Sequence, residues 1–214
     1  ISVKPKEYLI FIDLDFPHEY IAEELCLFDT EISVIACGYK DGIVAYEPFE
    51  NKHINGILHT SLYPAQVSKD LKEIAIEYTK KIIETFNYKG ILAVEFFVKD
   101  NQLYFNELAP RPHNSGHGTI DSCDISQFDS HIYAITGCSK VEPKTFQVSL
   151  MQNILGQDFN QVMSKLKMNS NQSVHVHLYG KKENRDNRKI GHITFTSNTI
   201  EQVNEIAQEW RIKR

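Results

Sequence analysis

Residues 91–110 read "ILAVEFFVKDNQLYFNELAP". Residues 91–98 are nearly all apolar, with the β-branched and aromatic side chains that suit a buried strand. "KDNQ" (99–102) supplies a polar turn, and residues 103–108 return. The stretch is therefore strand, turn, strand. Glu95 falls inside the first strand and Glu107 at the end of the second. A carboxylate within "LAVEFFV" is costly to bury without a partner. The hairpin sets both acids on one face, and like charges that close need a cation between them.

Working outward, residues 67–86 predict a helix. Val67, Leu71, Ile74, Tyr78, Ile82 and Phe86 recur at spacings of three and four, as one apolar stripe. Pro64 and Ser68 mark its start, and Tyr88-Lys89-Gly90 its end. Residues 19–50 predict strands separated by turns. "KDG" (40–42) is a hairpin signal, so residues 31–39 and 43–47 should pair antiparallel. Downstream, residues 125–136 suit a short helix ended by Gly137, and residues 139–147 look like a boundary. Beyond it come a strand ("VSLMQNIL"), a helix over 158–167 and two strands ("SVHVHLYG", "KIGHITFTS"). A final helix over 199–210 turns Ile200, Val203 and Ile206 inward. A basic loop, "KKENRDNRK" (181–189), joins the last two strands.

The chain has 214 residues, 42% hydrophobic, which allows one large domain or two small ones. A net charge of −5 gives no general pull toward nucleic acid or anionic membrane. The longest apolar runs, such as "ISVIACG" (32–38), are too short to span a bilayer, and the first residues show no basic-then-apolar signal pattern. Cys26, Cys37, Cys123 and Cys138 form no CxxC pair; Cys26 and Cys37 sit in strand-like apolar runs. The expectation is a reducing cytoplasm, with neither disulfides nor a zinc site. The chain opens at Ile1, so it is expected to be a processed product or part of a longer protein.

"NELAPRPHNSGHG" (106–118) concentrates the chemistry. Glu95, Glu107 and Asn106 offer oxygen ligands for Mg²⁺; the alternative is that Glu95 pairs with a buried cation and Glu107 caps a loop. The dense polar segment after Glu107 favours the metal. Arg111, His113, Asn114 and Ser115 form either an anion-binding loop or a rigid Pro-rich turn. His117 and His131 are expected to be structural. Lys181, Arg188 and Lys189 form either a solvated loop or a phosphate clamp. His175 and His177 share one face of a strand, without a Cys or carboxylate at metal spacing, so packing is expected of them. Glu23 and Glu31 are either exposed acids or nucleotide contacts. No GxxxxGKS, GxxxxGKT, GxGxxG, GxSxG or HExxH pattern is present.

At "FNELAPRPHNSGHGTIDSCDISQFDSHIYAITG" (105–137) the chain resembles the N5-carboxyaminoimidazole ribonucleotide synthase family, ATP-grasp enzymes of purine biosynthesis. The likeness extends, in order, through "EISVIACGYKDG", "ENKHINGILHTS", "MQNILG" and "YGKKENRDNRKIGHI". The resemblance implies an ATP- and bicarbonate-dependent ligase. Carboxyphosphate formed from ATP carboxylates the exocyclic amine of 5-aminoimidazole ribonucleotide, with Mg²⁺ neutralising the phosphates. It further implies that Glu95 and Glu107 bind Mg²⁺, and that Asn106 and Glu107 line the ATP phosphates. Glu23, Glu24, Leu25 and Cys26 would hold adenine, Glu31 the ribose, and His53 a further part of ATP. Arg111, His113, Asn114 and Ser115 would receive bicarbonate and the amine. Lys181 and Arg188 would clamp the substrate's phosphate. A cytoplasmic homodimer is implied, with no nucleic acid or membrane partner.

The implied fold class is α+β. Residues 1–144 would form a large antiparallel ATP-grasp sheet with flanking helices, and residues 145–214 a small β-rich domain. The family's amino-terminal Rossmann-like domain and Gly-rich phosphate loop have no match before Glu23. The chain is thus expected to correspond to the carboxy-terminal part of such an enzyme, with little activity alone. Another ATP-grasp ligase and a non-catalytic nucleotide-binding module are the alternatives.

Overall fold

The computed structural model describes residues 25–168, 171–210 and 212. Glu23 and Glu24, the expected adenine contacts, lie outside the described residues. Residues 25–28, expected in a strand with Cys26, belong to no regular element.

Among the described residues, nine strands form one sheet. In chain order they are β1 (Thr30–Tyr39), β2 (Gly42–Ala45), β3 (Phe49–Ile54), β4 (Ile57–Tyr63), β5 (Gly90–Lys99), β6 (Gln102–Ala109), β7 (Val148–Leu155), β8 (Val174–Leu178) and β9 (Lys189–Ser197). The sheet order is β6-β5-β1-β3-β4-β7-β9-β8, with β2 on β1, and every pair is antiparallel. The helices are α1 (Lys69–Phe86), α2 (Thr119–Ser122), α3 (Gln127–Ile135), α4 (Phe159–Met168) and α5 (Ile200–Glu209). This is an α+β fold with a large antiparallel sheet.

Two helices cover opposite faces of β1. Ile35, Cys37 and Tyr39 pack toward α3, while Ile32, Val34 and Ala36 pack toward α1. That double burial explains why "ISVIACG" reads as continuous rather than alternating apolar sequence. A third cluster, with Ile193, Phe195, Val203 and Trp210, fills the carboxy-terminal part. Residues 139–147 contain only an isolated bridge, Cys123 to Thr145. The sheet nonetheless runs on past them, because β7 pairs with β4.

α1 has the expected extent but a different buried face. The Ser68 hydroxyl accepts from the Leu71 N–H at its start, and left-handed Asn87 closes it. Leu71, Ala75, Thr79 and Ile83 are buried, whereas Ile74, Tyr78 and Phe86 are exposed. Small residues let the helix approach the sheet closely, and the Ala75 carbonyl satisfies the Thr79 hydroxyl. The larger residues are left outside.

Candidate active site

The β5–β6 hairpin turns through Asp100 and Asn101, both with positive φ, and pairs Glu95 with Glu107. Between Phe96 and Glu95 the register slips: Phe96 faces Phe105 and Glu95 faces Glu107, so Asn106 is an extra residue on β6. A regular strand would turn neighbouring residues to opposite faces. The bulge lets both Asn106 and Glu107 line one cavity.

Pairing across the sheet brings the remaining groups alongside. Ser33 of β1 is the partner of Glu95, Glu31 that of Phe97, and Asn51 of β3 that of Glu31. The resulting cavity of about 490 Å³ is lined by Glu31, His53, Glu95, Asn106, Glu107, Arg111, His113, Asn114 and Lys189, with Phe28 and Phe97 as its apolar wall. The Phe28 and Phe97 rings stack at 4.3 Å.

The acids dominate its electrostatics. Burial, with Glu31 and Glu107 beside it, pushes Glu95 up to about 8. Glu31 is 4% exposed, and its Oε1 has no donor among the described residues. Its neighbour Glu95 can meet it only by carrying a proton. The other Glu31 oxygen lies 3.1 Å from His53 Nδ1, and this hydrogen bond raises the pKa of His53. Glu95, Glu107 and His113 each present a ligand atom, all within 4.8 Å of one another. A buried carboxyl forced to stay protonated, beside an orphaned carboxylate oxygen, fits an oxygen-ligated divalent cation.

The Pro-rich loop forms the opposite wall. Gln127, fully buried at the start of α3, accepts from the His113 N–H at 2.8 Å and donates to its carbonyl at 2.7 Å. Ser126 and Asp129 form the capping box that fixes that helix start. Beneath the loop, Asn51 Nδ2 donates to Ser33 Oγ (3.0 Å), and Ser33 Oγ donates to Ser115 Oγ (2.8 Å). The Ser115 hydroxyl proton then points at His113 Nδ1, 2.9 Å away. Burial, assisted by Arg111, Lys189 and His53, lowers His113 to about 4. It is therefore neutral at pH 7, and Nδ1 accepts, so the ring proton sits on Nε2.

Of the residues singled out from sequence, Glu31, His53, Glu95, Asn106, Glu107, Arg111, His113 and Asn114 meet in this cavity. Ser115 lies fully buried behind it. Leu25 and Cys26 do not line it, and neither do Lys181 and Arg188, which are exposed. Lys189 enters instead; burial lowers its pKa, opposed by Glu95. Asn114 exchanges amide hydrogen bonds with Asn153 of β7 (2.6 and 3.0 Å), tying the loop to the carboxy-terminal strands. His117 and His131 have structural partners, Gln127 at 3.0 Å and the Ile91 N–H at 3.1 Å. Sequence reasoning did not assign roles to Phe28, Phe97, Ser33, Asn51 or Gln127. The "NG" of residues 55–56, both with positive φ, was an unused hairpin signal for β3 and β4, which carry Asn51 and His53.

Comparisons with known proteins place the chain in a family. Residues 11–128 match the ATP-grasp domain family, and residues 149–206 match the phosphoribosylaminoimidazole carboxylase C-terminal domain. The N5-carboxyaminoimidazole ribonucleotide synthase of Staphylococcus aureus is 39% identical over 192 residues, covering 87% of this chain and 50% of that protein. The ADP complex of an N5-carboxyaminoimidazole ribonucleotide synthetase superposes with a TM-score of 0.84 at 38% identity, over 89% of this chain and 50% of that one. The Aspergillus clavatus N5-carboxyaminoimidazole synthase, solved with ADP and 5-aminoimidazole ribonucleotide, gives 0.81 at 32% identity, over 87% and 52%. The chain spans about half the length of the curated relatives it matches.

Proposed function

Because the chain belongs to the ATP-grasp family, we propose that it carries the metal- and bicarbonate-facing wall of an N5-carboxyaminoimidazole ribonucleotide synthase. The reaction class is ATP-dependent carbon–nitrogen ligation. A bicarbonate oxygen attacks the γ-phosphorus of ATP and ADP leaves. The amine of 5-aminoimidazole ribonucleotide then takes the carboxyl carbon, losing a proton as phosphate departs.

The observation that carries this reading is Glu95. It is buried on a sheet beside two further acids and faces Arg111, His113 and Lys189 across one cavity. Glu95 and Glu107 would hold Mg²⁺, which when bound offsets phosphate charge during transfer. Asn106, turned into the cavity by the bulge, would line the phosphates. Glu31 would accept from ribose hydroxyls, with His53 holding its second oxygen. The stacked Phe28 and Phe97 rings offer an apolar face on which a purine would lie; Leu25 and Cys26 remain our choice for holding adenine. Arg111 offers a planar fork to bicarbonate or carboxyphosphate. His113 presents Nε2–H to the same anion, its orientation fixed by Ser115 and Gln127. Lys189 adds a cation whose partial burial strengthens its pull on phosphate. Lys181 and Arg188 remain our choice for the ribonucleotide's phosphate, at the rim.

The domain division at residue 145, a cytoplasmic location and a homodimer belong to the same reading. Among the described residues, no helix is long and apolar enough to cross a membrane. Calorimetric titration with Mg²⁺·ADP tests it. Saturable binding that Glu95→Gln and Glu107→Gln each weaken on the order of a hundredfold or more is expected; binding unchanged in both folded variants overturns the assignment.

A further inference from the structure

Strands β8 and β9 pair His177 with His192, and His175 with Thr194. Residues two apart on a strand share a face, so these four side chains form a square. Asp121 of α2 sits against it. Its Oδ2 lies 2.9 Å from His177 Nε2, and its Oδ1 lies 3.7 Å from His175 Nδ1. The His177 and His192 rings stack, with centroids 4.5 Å apart.

His192 is the telling member. It is 2% exposed, and the Tyr179 hydroxyl engages its Nδ1 at 2.8 Å. Its Nε2 is buried and has no hydrogen-bond partner among the described residues. A buried ring nitrogen is seldom left so, and here it shares space with a carboxylate and a second imidazole. The ligand atoms of Asp121, His177 and His192 all lie within 4.8 Å of one another. Sequence spacing gave His177 no carboxylate partner, because Asp121 is 56 residues away.

We propose that Asp121, His177 and His192 bind a borderline divalent cation of the zinc class, apart from the Mg²⁺ site. Two imidazoles and one carboxylate suit zinc or cobalt better than magnesium, which prefers oxygen. Tyr179 holds the His192 ring as an outer-shell partner, leaving Nε2 to the metal. Burial keeps His192 neutral, lowering it to about 3; with its one ring proton on Nδ1, donated to the Tyr179 hydroxyl oxygen, the Nε2 lone pair is free. Burial alone would raise the pKa of Asp121, but the His177 hydrogen bond, with the charges of His177 and His175 beside it, lowers it. The cation takes the place of the proton that His177 Nε2 shares with Asp121. That proton moves to Nδ1 or to solvent. Turning the partly exposed His177 ring about its broad χ2 well aims Nε2 at the cation. His175 and His177 are each about a third exposed, which gives the ion a path in. His175, beside the same carboxylate, or water completes the coordination. The cation would staple β9, which carries Lys189, to the helix that follows the His113 loop.

Metal-stripped chain, prepared without a histidine tag, is titrated with Co²⁺ and read by its visible absorption. One Co²⁺ per chain, displaced by Zn²⁺, is expected. Zn²⁺ should also raise the thermal midpoint. His177→Asn and Asp121→Asn should remove the band, while Glu107→Gln keeps it. Tyr179→Phe should weaken binding about 10–100-fold. His177 is partly exposed, so its variant folds even where a His192 variant does not. No Co²⁺ band in the wild type, a band unchanged by His177→Asn, or loss of the band in Glu107→Gln would each overturn the proposal.

Discussion

Two clusters in this molecule place carboxylates beside imidazoles, and they differ in what they lack. In the cavity, Glu31, Glu95 and Glu107 crowd together, so the surplus is negative charge and Glu95 is driven toward protonation. Around Asp121 there is one carboxylate among His175, His177 and His192, and the surplus is nitrogen. The first arrangement calls for a hard cation with phosphate attached, the second for a softer ion held by side chains alone. Donor identity separates the two regions more sharply than residue count does.

The largest effect expected is on the first cluster. Glu95→Gln keeps the shape and removes a ligand, and Mg²⁺·ADP affinity should drop on the order of a hundredfold or more, since outer-shell losses alone cost about 10–100-fold. Calorimetry reads this directly, and an equal loss in Asp121→Asn would break the contrast between the clusters. Next is pH. Below about 8 the cation competes with the Glu95 proton, so affinity should fall by up to about tenfold per pH unit in wild type. The same raised pKa makes the contribution of Glu95 to folding stability largest below the ordinary value of 4.5 and lost as pH rises through about 8. Denaturant midpoints across that window should decline in wild type more than in Glu95→Gln.

Gln127→Ala touches both regions, because Gln127 bridges His113 and His117, and His117 packs on His192 at 4.9 Å. Leaving the buried His113 N–H unpaired should cost about 1–3 kcal/mol in chemical denaturation. The smallest change expected is Ser126→Ala. It removes the cap beneath Gln127 and should cost about 1 kcal/mol, with nucleotide binding retained.

Local patterns in the sequence carried much of this fold. The turn at Asp100 and Asn101 and the pairing of Glu95 with Glu107 followed from composition and period. The face of α1 did not. Counting apolar side chains selects Ile74, Tyr78 and Phe86, whereas close approach to a sheet selects Ala75 and Thr79. Polar groups that act through packing were also hidden. Ser33 and Asn51 look like ordinary strand residues until β1 and β3 are set side by side. The Asp121 cluster was invisible because its members come from three elements joined only by the fold. Lys189 was seen as part of a basic loop, but its turn into the cavity depends on the register of β9.

The central claim is that Glu95 is held protonated until a cation arrives. Proton release on Mg²⁺·ADP binding tests it, measured at neutral pH in buffers of differing ionisation enthalpy. Wild type should release about one proton per nucleotide bound, and Glu95→Gln, to whatever extent it still binds, should release none. Binding by wild type with no proton released would contradict the account.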